Sequence, residues 1–245
     1  MEQQLHTTLV IPMYNEKDIL PSTLARVCSY MKATFPDGYE ILFVDDGSTD
    51  GSPEIVEKYG DGATRVLRSD RNYGKGHAVR EGILAARGKY IVFTDCDLAY
   101  GTGVIGRTVA FLAAYPRYGA VIGSRALHPQ GYEGYSVFRR VMSRGYKTIL
   151  RLFCGLRLSD SQSGIKGFTA EAAREIFPLC EVDRYAFDFE AIAIGARRGV
   201  HFGELPVHII ENRPSHVHFV RDSLRMLRDL VGVKRRLHKI PKPKK

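Results

Sequence analysis

A chain of 245 residues that is 44% hydrophobic can bury a core, with room for one large domain or one domain plus an extension. Its four cysteines, Cys28, Cys96, Cys154 and Cys180, lie far apart with no CxxC pair, which argues against a zinc site or a disulfide framework and fits a reducing compartment. The net charge is +9, and the last thirty residues hold ten Lys/Arg against Asp222 and Asp229, so a near-neutral body carries a basic tail suited to nucleic acid or lipid headgroups. The start, MEQQLHTTLV, has no basic stretch followed by an apolar one, so no secretory leader is expected. No apolar run approaches the ~18 residues that span a bilayer. The expectation is a protein that is soluble or lies on a surface.

In chain order, Thr7–Pro12 reads as a buried strand, and Asp18–Lys32 sets Ile19, Leu20, Leu24, Val27 and Met31 at helical spacing. Tyr39–Val44 is a second strand, closed by DDGSTDGS, and Thr49–Tyr59 a short helix with an Asp/Ser-rich start. A strand at Thr64–Leu67, a helix at Gly74–Ala86, a strand at Tyr90–Phe93, a helix at Ile105–Ala114 and a strand at Gly119–Ile122 follow. The second half is less regular. A very basic helix is expected over Ser136–Leu152, a polar loop over Leu158–Phe168 (LSDSQSGIKGF), helices over Ala170–Phe177 and Phe187–Arg198, and a strand over His201–Ile210. Strands alternating with helices predict an α/β fold with a mostly parallel sheet covered on both faces. Ligands of such sheets bind beyond the carboxyl ends of the strands, where YNE, DDGSTDGS and TDCD fall here.

The polar clusters define the candidate chemistry. In TDCD, Asp95 and Asp97 stand one residue apart at the end of an apolar run. If the strand persists they share a face; if the chain turns, each serves its own ligand. Two carboxylates suit Mg2+ or Mn2+, which take few protein groups and complete their shell with water and phosphate. An isolated DxD is as readily a strand-ending turn. Asp45 and Asp46 open a sharp loop where carboxylates can accept from a base or ribose, or serve the turn itself. RNYGKG sets Lys75 between two glycines before a helix, a candidate anion site that does not match the P-loop pattern.

Together IPMYNE, VDDGSTDGS, NYGKGHAVREG, TDCD and GSR resemble the family 2 inverting glycosyltransferases, over about Leu9 to Asn212. DSQSGIKGF and RYAFDFE narrow the resemblance to the polyprenol-phosphate glycosyltransferases, with dolichyl-phosphate glucosyltransferase favoured over dolichyl-phosphate mannose synthase. The resemblance implies a GT-A-type, Rossmann-like sheet flanked by helices. It implies a uracil or guanine near Pro12, Tyr14, Glu16 and Asp45, with Asp46 and Lys75 also on the nucleotide sugar. Asp95 and Asp97 would hold the metal and the sugar diphosphate. Arg125 would handle phosphate, Arg139 and Ser143 would grip the acceptor phosphate, and Gln162 would sit in a loop that closes over the donor. Asp97, Arg125 and Arg139 are the implied catalytic set. Cys96 and Leu98 depart from the family pattern. The implied reaction moves a hexose, glucose or mannose, from UDP-glucose or GDP-mannose to a polyprenyl or dolichyl phosphate, with inversion. A lipid phosphate is already an anion and needs a basic pocket rather than a strong base; FRRVMSRGYK, with Arg139, Arg140, Arg144 and Lys147, can supply one. Asp188 and Glu190 stand where a hydroxyl acceptor would want a base, or else pair structurally.

From Val220, the apolar positions Val220, Leu224, Leu227 and Val231 recur at helical spacing among arginines. This basic amphipathic helix either lies in a headgroup layer or packs its stripe on the domain. The expected division is a catalytic domain over 1–212 and a tail over 213–245. The tail would place the protein peripherally on the cytoplasmic face of a membrane, beside its lipid substrate or on a separate membrane subunit. Three rival readings are a family 2 enzyme acting on a sugar hydroxyl in polysaccharide assembly, an inactive partner subunit, and a nucleic-acid-binding module. The last is disfavoured because the tail has one aromatic, Phe219, and no stacking platform.

Overall fold

The computed structural model describes residues 5–132, 156, 158–210 and 219–242, and for 219–227 the backbone alone. The helix expected over 136–152 lies outside the described residues. Seven strands form one sheet: β1 (Thr7–Met13), β2 (Tyr39–Asp45), β3 (Thr64–Arg68), β4 (Tyr90–Thr94), β5 (Ala120–Ser124), β6 (Ile165–Thr169) and β7 (Phe202–Pro206). Their order is β3-β2-β1-β4-β6-β5-β7. All neighbours are parallel except β6, which runs antiparallel to β4 and β5. The helices are α1 (Leu20–Thr34), α2 (Ser52–Tyr59), α3 (Lys75–Ala85), α4 (Gly103–Ala114), α5 (Ala170–Ile176), α6 (Phe187–Arg197) and α7 (Phe219–Leu237).

Alternation along the strands divides the core in two. Val10, Ile91 and Phe93 face one layer with α3, α5 and α6. Leu9, Ile11 and Val92 face the other, with α1 and α4. Both faces are covered, so the parallel strands read as continuous apolar runs.

The structure corrects the expected loop over Leu158–Phe168, because its last residues begin β6 in the middle of the sheet. IKGFT does not read as a buried strand because it carries a lysine and a glycine. Lys166 is 2% exposed and lies 2.7 Å from the Asp188 carboxylate on α6. A Cβ on Gly167 would stand 2.3 Å from Thr108 Cγ2, so the glycine lets α4 lie against the sheet. The last strand is also shorter than expected, ending at Pro206.

Leu230 and Val233 of α7 are buried in the α3/α5/α6 layer, whereas Val231 is 52% exposed. The buried stripe at this end is therefore set one residue off the expected Val231 register. The side chains of Val220, Leu224 and Leu227 lie outside the described residues.

Candidate active site

Sheet order fixes where a ligand can sit. β2 and β3 lie to one side of β1 and β4 to the other, so the strand order reverses between the parallel strands β1 and β4. β1 pairs with β4 only up to Val10↔Phe93 but with β2 up to Met13↔Asp45. The two carboxyl ends splay there, and a cleft of about 620 Å³ opens beside Pro12, Tyr14, Glu16, Asp46, Lys75, Asp95 and Asp97.

The acidic loop after β2 is built to hold the loop after β1. Asn15 (φ 54°) donates its N–H to Ser48 Oγ at 2.8 Å and accepts from Thr49 N at 2.9 Å through its side-chain oxygen. Glu16 N donates to Ser52 Oγ, and Lys17 N to Asp50 Oδ2. Asp45 is 2% exposed and accepts from Ser48 N, so it closes the turn and does not line the cleft. Asp46 lines the cleft and ties the next loop, accepting from Tyr73 N at 2.9 Å and Gly74 N at 2.8 Å. Burial raises the Asp46 carboxyl above its ordinary value against the pull of these two N–H groups.

The NYGKG loop turns through Gly74 at φ 127°, a conformation that favours glycine. The start of α3 is covered by protein: His77 N donates to the Asp183 carbonyl at 3.0 Å. The expected anion site at this helix end is thus partly closed by backbone, and what this loop presents to the cleft is the Lys75 side chain, paired with Asp95. Burial alone would lower the Lys75 ammonium, but Asp95, then Asp188 and Asp97, outweigh it and raise it above its ordinary value.

At the DxD the strand does not persist. β4 ends at Thr94, and Asp95 N continues the ladder with Gly164 O at 3.3 Å. Leu98 N then bonds Asp95 O, Leu98 adopts φ 51°, and Ala99 N donates to Asp97 Oδ1 at 3.1 Å. The turn, not strand alternation, sends both carboxylates to the cleft. The departures from the family pattern are absorbed inward: Cys96 and Leu98 are buried, and the Cys96 carbonyl accepts from Thr23 Oγ1.

Arg125 and Gln162 do not line the cleft. Arg125 donates to Asp160 from Nε at 2.6 Å, from Nη2 at 2.9 Å and from its backbone N–H. Burial would raise the Asp160 carboxyl, but the guanidinium holds it below its ordinary value. Asp160 also accepts from Gln162 N, so the GSR motif anchors the loop that carries Gln162, whose side chain is exposed. Arg139 and Ser143, with Arg140, Arg144 and Lys147, lie outside the described residues. Asp188 pairs with Lys166, and Glu190 accepts from Glu181 N and Val182 N and pairs with Arg236. Both carboxylates are paired within the fold.

The motif reading missed Asp18, Asn72, Arg184 and Tyr185 as lining residues. Asn72 sits inside RNYGKG, and Arg184 and Tyr185 inside RYAFDFE, so only their orientation was missing. Asp18 carries no signal beyond its place just before a helix.

A sheet whose strand order reverses at β1/β4, with carboxylates at the crevice, defines a GT-A-type nucleotide-sugar-binding fold. The family model "Glycosyl transferase family 2" matches residues 8–177, and the chain belongs to that family. It is 33% identical to a dolichyl-phosphate beta-glucosyltransferase of Drosophila melanogaster, over 92% of this chain and 73% of that one. It is 30% identical to the enzyme of the same description from Dictyostelium discoideum, over 94% of this chain and 74% of the other. Among solved structures, mannosyl-3-phosphoglycerate synthase from Rubrobacter xylanophilus superposes with a TM-score of 0.67 at 20% identity, covering 96% of this chain and 74% of that one. A mannosyltransferase from Pyrobaculum calidifontis, in complex with GDP-Man and Mn2+, gives 0.65 at 21% identity, covering 99% and 67%.

Proposed function

We propose that this glycosyltransferase moves glucose from UDP-glucose to a polyprenyl phosphate of the dolichyl type, inverting the anomeric carbon. The observation that carries the reading is the cleft in which Asp95 and Asp97 meet Lys75 at the β1/β4 crevice, in a chain about 30% identical to dolichyl-phosphate beta-glucosyltransferases. Pro12, Tyr14 and Glu16 stand where the nucleoside would lie. Tyr14 is 45% exposed and offers a ring to a base.

The donor set suits Mg2+ or Mn2+. Asp95 and Asp97 are hard oxygen ligands, and the described residues contain no cluster of three or more His, Cys, Asp or Glu that would form an all-protein cage. These ions take one or two carboxylates and fill the rest of their shell with water and phosphate. A bound ion would neutralise charge on the departing diphosphate. Lys75 would lie beside that diphosphate and supply a fixed positive charge of its own.

A hydroxyl acceptor would need a carboxylate base. Asp188 and Glu190 are committed to Lys166 and to Arg236 with two backbone N–H groups, which favours an acceptor that arrives already ionised. Arg139 and Ser143 would grip its phosphate. The basic tail would hold the protein at the cytoplasmic face of a membrane or on a membrane subunit; no described helix is long and apolar enough to cross one.

Calorimetric titration with UDP-glucose and GDP-mannose, with and without Mn2+, tests the donor. Metal-dependent binding of UDP-glucose is expected, and binding of GDP-mannose alone would move the reading to mannose. Arg139→Ala should weaken use of polyprenyl phosphate more than UDP-glucose binding; equal loss of both would reject its acceptor role.

A further inference from the structure

We infer that a second, arginine-lined cavity, adjoining the donor cleft, binds the phosphate of an anionic membrane-lipid headgroup. This open cavity of about 660 Å³ lies between the loop after β3, the segment before α6 and one face of α7. Arg71, Arg184 and Arg228 reach it from these three elements. Each of its carboxylates already has a partner. Glu181 pairs with Arg236 at 3.3 Å, Asp183 with Arg80 at 3.0 Å, and Asp229 makes a contact of its own. Among the described residues, no carboxylate pairs with Arg71, Arg184 or Arg228. Arg71 instead lies over the Tyr73 ring, 4.7 Å from its centre, which restrains that side chain.

Three guanidinium groups that no carboxylate pairs among the described residues, drawn from three chain segments around one cavity, are a recognition set for a phosphate, since each planar fork can donate two parallel N–H bonds. The headgroup source follows from the wall. α7 is the basic C-terminal helix, and beyond Arg228 it exposes Lys234 and Arg235. A surface that attracts an anionic leaflet thus runs into a cavity whose arginines can hold a phosphate. Asn72 and Arg184 belong to both this cavity and the donor cleft, so an occupied site would seat the cleft beside the membrane.

Gly232 gives the test a clean handle. It lines the cavity, and a Cβ there would meet nothing nearer than Arg236 Nη1 at 3.6 Å. Gly232→Ala should fold at least as well as the parent, because alanine is the better helix former. Gly232→Glu would put a carboxylate among the arginines. The full-length protein is co-sedimented with phosphatidylcholine vesicles containing phosphatidic acid. Gly232→Ala should bind as the parent does. Gly232→Glu and Arg228→Gln should each bind at least tenfold more weakly, while Arg235→Gln, the same charge change at an exposed position on the same helix, should lose under threefold. UDP-glucose binding should be unchanged in all four, because none of these residues lines the donor cleft. Equal losses in Arg228→Gln and Arg235→Gln would overturn the site in favour of diffuse attraction by the tail. Saturable binding of inorganic phosphate, abolished by Gly232→Glu but without vesicle binding, would overturn the lipid assignment.

Discussion

At Asp95 the antiparallel ladder of β4 and β6 runs one step past the strand, and at Asp97 a side-chain-capped turn takes over. Two carboxylates that look equivalent in TDCD are therefore held by different means. Asp95 is held by its own backbone and by the Lys75 ammonium; Asp97 is held by a turn that Leu98 completes in the left-handed region. If the pair holds a divalent ion, Asp97→Asn should lower kcat for transfer by about a hundredfold, roughly 3 kcal/mol of barrier. Its unfolding midpoint should stay with the parent, because the amide oxygen can still accept from Ala99 N. Radiolabelled transfer to polyprenyl phosphate, alongside a thermal melt, reads both. The residue types at this site were legible from spacing alone. Their partners were not, since Lys75 meets Asp95 only when α3 and β4 are packed side by side.

Among the elements, β6 and the segment leading into it carry the most unexpected arrangement. A lysine in an interior strand of a sheet is tolerable because Asp188 of α6 meets it at 2.7 Å and the Ser163 carbonyl accepts from it at 2.8 Å. Burial raises the Asp188 carboxyl, while Lys166 and then Lys75 pull it down, so its charge depends on those cations. Lys166→Met should destabilise the fold by about 3–5 kcal/mol, because it takes the nearest cation from a buried carboxylate. Lys166→Met combined with Asp188→Leu should recover most of that loss. Urea unfolding of the three proteins checks this, and a double variant no more stable than the single one would refute it. No local pattern announces such a strand. Its polarity is cancelled by a residue 22 positions later in the chain.

For the whole molecule, acid stability should be set by buried carboxylates that the fold keeps ionised. Burial alone would raise Glu40, but the Arg87 N–H and guanidinium, the Thr8 hydroxyl and Arg65 outweigh it and hold the carboxyl below its ordinary 4.5. Asp160 is held below its ordinary 3.8 in the same way by Arg125. The unfolded chain then binds protons more tightly than the folded one. The stabilisation is complete above pH 4.5 and is lost as pH falls through the lower folded-state values. Glu40→Gln should be less stable than the parent at neutral pH and should show a shallower fall in stability below about pH 4.5. Parallel curves for the two proteins would remove Glu40 from this role. Asp188 has the opposite sign, so any stability it contributes is lost as pH rises.

The sequence by itself determined the alternation of strands and helices, the polar clusters at the strand ends, and the residue types those clusters offer to a nucleotide sugar. These are local properties, because hydrophobic period and turn composition are written over stretches of five to fifteen residues. The motifs were sufficient to indicate the glycosyltransferase family. Only the tertiary structure decided that Asp45 closes a turn while Asp46 faces the cleft. It also decided that Arg125 belongs to Asp160, that Lys166 lies inside the sheet, and that α7 buries Leu230 and Val233 while exposing Val231. The Asp45 turn closes on Ser48, three residues on, but in the other cases the outcome depends on a partner far away in the chain. A charged side chain takes its role from the counter-charge that packing brings to it, and spacing along the chain does not encode that.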